Sequence, residues 1–478
     1  MKHFVLTFWA LSLLIGHGCR SVNNDHPAPS DPIPITMTAL YDSSSVFFGD
    51  FGNYPRRNPA APIGIFDSGT GGLTVMEAIV TLDLFNNATG EEGPDGICDF
   101  AGESFLYLAD QANMPYGNYS SEGKIDFLRE LIVQDALFLM SHQVKSIVVA
   151  CNTATATGFD DIALLLEKSE TAVNALGVIF AGVEGALERL GKEESGAMGV
   201  MATVGTINTE GYERAIKAMA KEWGYTGTLQ IVNQPAMGFA EAVDQEPDFV
   251  SRTATQPRPN YRGPAIDHPD FPIDLQLLDA YQFDYSNNGI LYTGTDKSFT
   301  QLQLNAPQNY ARYHLLSLVE KLRAMPNPQP LKVLIMGCTH YPYHKETLQK
   351  MLQELRDYNK EGIFPYRDLI APEVALVDPA LHTAKNLYQR LKSDNLLANN
   401  QTATTAMFYI TVPNEALPGI SLESPQRFTY GYKYGRNPGT SLEYVQMVPF
   451  SSSNIDKETL NRFRLSVPAT FSLIPNIE

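Results

Sequence analysis

Short apolar runs alternate with longer amphipathic stretches along most of the chain. Apolar runs such as residues 147–150 and 331–336 predict buried parallel strands, because both of their faces are apolar. Helical periodicity is found over residues 124–141, 158–168, 211–223, 309–324 and 343–357. Strands alternating with helices are typical of α/β folds. We therefore predict two similar open parallel-sheet domains with a cleft between them.

Segments of different composition divide the 478 residues into regions. The predicted regions are a signal segment (1–19), a flexible tether (20–60), a first domain (61–180 and 373–412), a second domain (181–372) with a long insert (246–308), and a C-terminal extension (413–478). The insert is rich in Pro, Asn, Asp and Tyr, which favours a loop, a lid or a partner surface over core structure. The extension contains strand-like segments at 430–434 and 444–448.

The N-terminus has the pattern of a targeting segment. Lys2 and His3 precede a largely apolar run over residues 4–15, which is too short to span a bilayer as a helix. Gly18 directly before Cys19 resembles the lipobox of bacterial lipoproteins. We therefore expect an exported protein on the periplasmic side of a bacterial membrane, lipid-anchored at Cys19, with simple secretion as the alternative.

Composition excludes several classes of function. Lys and Arg total 35 against 53 Asp and Glu, and the net charge of −18 repels polyanions, so nucleic acid is not an expected partner. Four cysteines in so long a chain cannot form a disulfide scaffold, and no Cys-x-x-Cys pattern indicates structural zinc. Each cysteine therefore needs its own explanation.

A glycine-rich turn follows the apolar residues 63–66. Asp67 and Ser68 stand at the end of this predicted strand, where open α/β sheets place their ligands. The glycines up to Gly72 lead into a helix, so backbone N–H groups could face a phosphate or a carboxylate. The turn lacks the Gly-Lys-Ser/Thr of a Walker loop, and a simple tight turn remains the alternative.

Two cysteines occupy equivalent positions after apolar strands. Cys151 is followed by Asn152 and Thr153, and Cys338 is followed by Thr339 and His340. A cysteine at the mouth of a helix is favoured as a thiolate, although a single buried cysteine is often only a small hydrophobe. The repetition favours two thiols facing one cleft. Zinc bound by Cys338 and neighbouring histidines matches no ordinary site, so we predict no metal.

Several motifs together resemble the glutamate racemase family. They are Ile-Phe-Asp-Ser-Gly-Thr-Gly-Gly-Leu-Thr-Val (65–75), Tyr-Leu-Ala-Asp-Gln-Ala-Asn-Met-Pro-Tyr-Gly (107–117), Ala-Cys-Asn-Thr-Ala (150–154), Gly-Val-Met-Ala-Thr-Val-Gly-Thr-Ile-Asn (199–208), Gly-Cys-Thr-His-Tyr-Pro (337–342) and Leu-Val-Asp-Pro-Ala (376–380). The resemblance covers most of 62–245 and 331–412. It implies a cofactor-independent racemase that moves a proton between the two faces of the α carbon of an amino acid by means of two thiols.

The resemblance also implies roles for individual residues. The implied catalytic residues are Cys151, Cys338, Asp67, His340 and Glu241. The implied substrate-binding residues are Ser68, Pro115, Tyr116, Gly117, Asn152, Thr153, Thr203, Thr206 and Thr339. Glu241 is the nearest carboxylate to the family's catalytic Glu, but its spacing departs from the family pattern, so the partner of Cys338 is left open.

Two alternatives to a glutamate racemase remain open at this stage. The inserts could reshape the pocket for aspartate or another carboxylic amino acid. Export, which exposes thiols to oxidation, instead fits a non-catalytic protein that binds a carboxylated ligand. The family resemblance implies a small-molecule amino-acid substrate and a product used in peptidoglycan of the cell wall. A homodimer is compatible with the resemblance, but no residue pattern determines the oligomeric state.

Overall fold

Two open sheets form the framework of the computed structural model, which describes residues 32–295, 298–398, 403–440 and 442–475. In chain order the strands are β1 (Ile63–Asp67), β2 (Ser104–Ala109), β3 (Ser146–Val149), β4 (Asn174–Gly177), β5 (Gly196–Ala202), β6 (Leu229–Pro235), β7 (Ile290–Thr295), β8 (Ser298–Leu304), β9 (Leu331–Gly337), β10 (Ile370–Val377), β11 (Thr405–Pro413), β12 (Leu422–Ser424), β13 (Arg427–Phe428) and β14 (Val445–Pro449).

Helices connect these strands and cover both sheets. The α-helices are α1 (Pro34–Tyr41), α2 (Leu73–Val80), α3 (Gly117–Ser121), α4 (Ile125–Ser141), α5 (Asn152–Ser169), α6 (Val178–Leu187), α7 (Val204–Asn208), α8 (Gly211–Glu222), α9 (Phe239–Val243), α10 (Leu278–Tyr281), α11 (Pro307–Ala324), α12 (Lys345–Asp357), α13 (Pro379–Ser393), α14 (Tyr430–Gly435), α15 (Lys457–Ser466) and α16 (Pro468–Leu473). Short 3-10 helices lie at Phe51–Asn53, Leu275–Leu277, Ser286–Asn288 and Tyr341–His344.

The strand order places the ends of particular strands side by side. The first sheet has the order β14-β11-β2-β1-β3-β4 and the second has the order β10-β9-β5-β6. Neighbouring strands are parallel except β11 and β14, which are antiparallel. Buried apolar side chains pack against both faces of each sheet. The predicted fold class, α/β with two open parallel-sheet domains, is confirmed.

The chain passes between the two sheets at two places. The chain leaves the first sheet after Gly177, at the end of β4. It leaves the second sheet after Val377, at the end of β10, and returns to the first domain. The first domain was expected to resume at residue 373, but β10 is an outer strand of the second sheet, so it resumes at α13 instead. An apolar strand fits either sheet equally well, and residue pattern alone does not assign it.

Residues 32–60 were expected to belong to a flexible tether, and the described structure differs. Pro34 occupies the first turn of α1, where its fixed φ favours a helix start, and Ile35 and Ala39 are buried against α4 and α5. Tyr54 donates a hydrogen bond to the carbonyl of Val144 at 2.7 Å. The prolines that suggested an extended tether therefore include one that begins a packed helix. Residues 20–31 lie outside the described residues.

We expect the packing of α1 to contribute measurably to stability. Ile35 is 1% exposed, so Ile35→Ala should lower the free energy of unfolding by about 3 kcal/mol, the usual cost of truncating a buried isoleucine. Met37 on the same helix is 46% exposed, and Met37→Ala should change it by less than about 0.5 kcal/mol. Urea denaturation of both variants measures the difference. Equal stability of the two would contradict the packed helix.

The insert at 246–308 was predicted to be a functional loop, a lid or a partner surface rather than core. Residues 251–272 are largely irregular, as expected, but other parts of the insert are packed into the second domain. β7 and β8 pair antiparallel, and Phe249, Ile273 and Leu302 are buried in the core of the second domain. The hydroxyl of Tyr310, on α11, donates to the carbonyl of Phe249 at 2.9 Å. These buried apolar residues are widely spaced in a polar segment, so the sequence pattern did not predict their packing.

The extension at 413–478 completes the first domain. The strand predicted at 444–448 is confirmed as β14, which pairs with β11 at the edge of the sheet. The strand predicted at 430–434 is wrong, because these residues form α14. The hydroxyl of Thr429 accepts the N–H of Tyr432 and so caps this helix, and Tyr434 packs on Tyr119 with ring centroids 4.8 Å apart. Alternating aromatic residues suggested a strand, but capping and tertiary packing favour the helix.

Candidate active site

Cys151 lies at the junction between β3 and α5. The apolar strand β3 ends two residues earlier, and Cys151 is the N-cap of α5, where its sulfur accepts the N–H of Ala154 at 3.4 Å. The thiol donates toward the hydroxyl of Ser68, 3.6 Å away. Ser68 follows β1, the strand next to β3 in the sheet. Adjacent parallel strands therefore bring the first predicted thiol and the glycine-rich turn together.

Asp67 is the acid–base partner nearest to Cys151. Its buried carboxylate accepts the N–H groups of Gly72 at 2.9 Å and Gly69 at 3.3 Å, and it interacts with the Cys151 thiol. Burial raises the pKa of Asp67 despite these hydrogen bonds. Burial, followed by the charge of Asp67, raises the pKa of Cys151 to about 12. Cys151 is therefore a thiol at neutral pH, and Asp67 is placed to take its proton.

Cys338 has a different partner. It follows the central strand β9, and its sulfur lies 3.4 Å from Nδ1 of His340. Nε2 of His340 lies 3.1 Å from Oδ2 of Asp244. Burial alone would lower the pKa of His340, but its electrostatic and hydrogen-bonding interactions with Cys338 and Asp244 outweigh burial and hold the pKa well above its ordinary value. The imidazole is therefore a proton donor beside Cys338.

The structure brings Asp244, not the predicted Glu241, to His340. Asp244 is the C-cap of α9, and its pKa is lowered because the hydrogen bond and charge of His340 outweigh the effect of burial. Burial raises the pKa of Glu241, and within the described residues no hydrogen bond or ion pair joins Glu241 to His340. The sequence analysis missed Asp244, although acids three residues apart share a helix face and either could have faced the site.

A pair of substitutions separates these two carboxylates. Asp244→Asn should lower kcat about thirtyfold, because losing a charge-assisted hydrogen bond costs about 2 kcal/mol. Glu241→Gln, three residues earlier, should change kcat by less than about threefold, which corresponds to a surface-like effect of about 0.5 kcal/mol. Steady-state kinetics of the reaction proposed below measures both. A larger loss in Glu241→Gln than in Asp244→Asn would restore the sequence-based assignment.

The loops of the two domains meet at these residues. A Cβ at Gly71 would lie 3.2 Å from Oγ1 of Thr339, which is a tight approach, and 3.6 Å from Cε1 of His340, which is an ordinary contact, so the glycine-rich turn lies close to both residues. Asn152 lines the same small cavity as Cys338 and Thr339. The hydroxyl of Tyr212, on α8, donates to Oδ1 of Asn152 at 2.8 Å. The carboxyl ends of β1, β3 and β9 therefore converge on one place between the domains.

The predicted substrate-binding residues are distributed unevenly around this place. Asn152 and Thr339 line the cavity beside Cys338, and Ser68 accepts from the Cys151 thiol. Thr153 is buried in the first turn of α5. Thr203 caps α7, and its hydroxyl donates to that of Thr206 at 3.0 Å. The two hydroxyls are hydrogen-bonded to each other, and this bond stabilises the first turn of α7.

Tyr116 was expected to line the pocket, and the structure shows its side chain held by carboxylates of the first domain. Its ring is buried, and its hydroxyl lies 2.6 Å from Oδ2 of Asp110 and 2.8 Å from Oδ2 of Asp135. The hydroxyl is thus engaged with the core of the first domain. Pro115 accepts a hydrogen bond from Tyr434 through its carbonyl, and Gly117 approaches Gly205 of the second domain. The backbone of this loop, rather than the Tyr116 ring, contacts the opposite domain.

The C-terminal extension supports that loop, which sequence reasoning did not foresee. The guanidinium of Arg436 donates to Oδ1 of Asn113 at 2.7 Å and is buried among aromatic rings, including those of Phe428 and Phe127 at 4.7 and 4.9 Å. Lys433 donates to the carbonyl of Met114. The order of the loop at 110–117 therefore depends on residues more than 300 positions later.

Comparisons with known proteins identify close similarity to one family. A protein named glutamate racemase from Chlorobaculum parvum is 36% identical over 393 residues, which cover 82% of this chain and 98% of that protein. A second, from Chlorobaculum tepidum, is 27% identical over 389 residues, or 81% of this chain and 96% of that protein. The solved glutamate racemase of Francisella tularensis in complex with D-glutamate is 22% identical, with a TM-score of 0.43 over 74% of this chain and 88% of that chain. No family model matches the chain.

Proposed function

This chain belongs to the glutamate racemase family, and from that premise we propose that it interconverts L-glutamate and D-glutamate. The enzyme is an isomerase that acts on an amino acid and uses its own side chains as acids and bases. The observation that carries the proposal is that two cysteines, each with an acid–base partner, stand at strand ends that converge between the domains.

Each thiol serves one face of the substrate. In one direction Asp67 takes the proton of Cys151, and the resulting thiolate removes the Cα proton, so that a C–H bond breaks and an S–H bond forms. The thiol of Cys338 then gives its proton to the opposite face of the carbanion. Protonated His340, whose charge Asp244 stabilises, returns a proton to Cys338 and becomes neutral. Solvent then takes the proton from Asp67 and restores one to His340. The reverse direction exchanges the two roles.

Neutral donors around the thiols suit the bound amino acid. The Ser68 hydroxyl lies beside Cys151, and Asn152 and Thr339 line the cavity that contains Cys338. Positioned donors in a site closed to water stabilise the negative charge that develops when the Cα proton leaves. Their polarity fits the carboxylate and amino groups of the substrate. The D-glutamate formed would supply peptidoglycan synthesis.

Solvent exchange tests this function directly. L-glutamate and D-glutamate, incubated separately with the wild-type chain in D₂O, should each lose optical rotation and gain one deuterium at Cα. Circular dichroism follows the first change and NMR or mass spectrometry the second. Absence of both changes with either enantiomer would refute a glutamate racemase. Faster racemisation of aspartate than of glutamate would reassign the substrate.

We further propose that the protein is exported and acylated at Cys19. The supporting features are the apolar run over residues 4–15 and the small residue before the cysteine, all of which lie outside the described residues. None of the helices in the described part of the chain combines the length and apolarity needed to cross a bilayer. A lipid on Cys19 would hold the enzyme at the periplasmic face of a membrane.

Mass spectrometry of the membrane fraction tests the anchor. The mature chain should begin at Cys19 and carry acyl chains, and Cys19→Ser should release it into the soluble fraction. A mature chain that starts at another residue and carries no lipid would reject the anchor. Cross-linking in solution, followed by mass determination, decides whether the enzyme is a homodimer.

A further inference from the structure

An arginine from the C-terminal extension reaches the acid–base group of the second thiol. Nη1 of Arg462, on α15, lies 3.3 Å from Oδ1 of Asp244, whose other oxygen pairs with His340. His340 in turn contacts Cys338. These four side chains form a continuous series from the extension to the sulfur.

The helix that carries Arg462 is fixed to the first domain. Phe463 and Val467 are buried in the same core as residues of α2. The N–H groups of Ala469 and Thr470 donate to the carboxylate of Glu77, on α2, at 3.0 and 2.7 Å. Because α2 begins directly after the turn that holds Asp67, α15 has a defined position relative to the first thiol. Arg462 therefore extends from the first domain to a carboxylate of the second.

Other carboxylates surround Asp244, so a cation beside it reduces the repulsion between negative charges. Burial raises the pKa of Glu246, and the charges of Glu241 and Asp244 raise it further. The side chain of Asp244 is 23% exposed and that of Arg462 is 39% exposed, so the pair is only partly screened by water. A guanidinium offers directional donors to a carboxylate and so restricts its orientation.

We propose, on the basis of the function proposed above, that Arg462 is a positioning residue for the second thiol. It fixes the carboxylate of Asp244, which orients the imidazole of His340 beside Cys338. The α15 helix thus completes the acid–base system on one face of the substrate and leaves the Cys151 side untouched. The extension is a functional part of the site as well as a part of the fold.

Isotope effects distinguish this role from general structural support. Arg462→Met slows only the Cys338 half of the reaction. For the enantiomer whose Cα proton Cys338 removes, that step becomes more strongly limiting, so the primary isotope effect from Cα deuteration should rise. For the other enantiomer, removal by Cys151 becomes reversible before the slow step, so its isotope effect should fall.

Three variants make the experiment decisive. Arg462→Met should lower kcat/KM about fivefold in both directions, the upper range for a partly exposed ion pair. Arg462→Lys should recover much of that loss. Arg464 occupies an exposed position of α15 two residues away, and its guanidinium donates to Oδ1 of Asn461 at 2.9 Å, so Arg464→Met should behave as wild type.

Each outcome bears on the proposal. Unchanged rates and isotope effects in Arg462→Met would overturn it. An equal loss for both enantiomers without the opposite isotope shifts, accompanied by a lower melting temperature, would also overturn it and assign Arg462 to stability alone. A wild-type chain that racemises neither enantiomer would refute the proposed function itself, which is a different result from an active wild type with an indifferent Arg462.

Discussion

Replacing either active-site cysteine by serine should reduce racemisation about a thousandfold, because a positioned acid or base contributes about 10²–10⁴ in rate and serine is a much weaker acid. The losses should also differ in kind. Cys151→Ser keeps the base on the Cys338 face, so it should still exchange the Cα proton of one enantiomer with solvent. Cys338→Ser should exchange only the other enantiomer. Deuterium incorporation from each pure enantiomer measures this.

Cys98 provides the control for these variants. It is an exposed free thiol on a loop of the first domain, and Cys98→Ser should leave the rate unchanged. If both active-site variants exchanged both enantiomers, a single base would be serving the two faces. The two-thiol mechanism would then be wrong even though the wild type racemises glutamate.

Substituting Asp67 by asparagine should have two opposite consequences at Cys151. The rate should fall about a hundredfold, because the base that accepts the thiol proton is lost. The thiol itself should ionise at lower pH, because the charge of Asp67 contributes to its raised pKa of about 12. Alkylation of Cys151 as a function of pH, followed by peptide mass spectrometry, measures the second effect beside the rate.

Asp50→Asn serves as the matched control, since Asp50 is an exposed aspartate outside the sheet. It should change neither the rate nor the alkylation profile. A fully active Asp67→Asn variant, or one whose thiol ionises at the same or a higher pH than wild type, would remove Asp67 from the role assigned to it.

Helices and strands could be predicted from the sequence wherever the spacing of apolar residues was unambiguous. The helix predicted at 124–141 is α4 at Ile125–Ser141, and the strand ending before Cys151 is β3. In a parallel sheet covered by helices, long amphipathic stretches form the helices and short apolar runs form the buried strands. The same spacing placed Asp67, Cys151 and Cys338 at strand ends.

The roles of residues whose neighbours come from distant parts of the chain could not be predicted from the sequence. Tyr116 lies in a family motif, but its hydroxyl is directed to Asp110 and Asp135 by the packing of the first domain. Asp244 and Glu241 are equivalent by local pattern, and only the fold decides between them. Arg462 carries no motif, and its role depends on where α15 docks.

The discontinuity of the first domain also determines the order in which the protein can be completed during synthesis. The second sheet uses only strands between Gly196 and Val377, whereas β2 of the first sheet needs β11 as its neighbour, and β11 needs β14. Domains fold as units while the ribosome advances, so the second domain, which is complete in sequence by Val377, can mature before the first. Until β11 emerges, β2 presents an unpaired edge, and until residue 449 emerges the same holds for β11, so each edge in turn is exposed to aggregation.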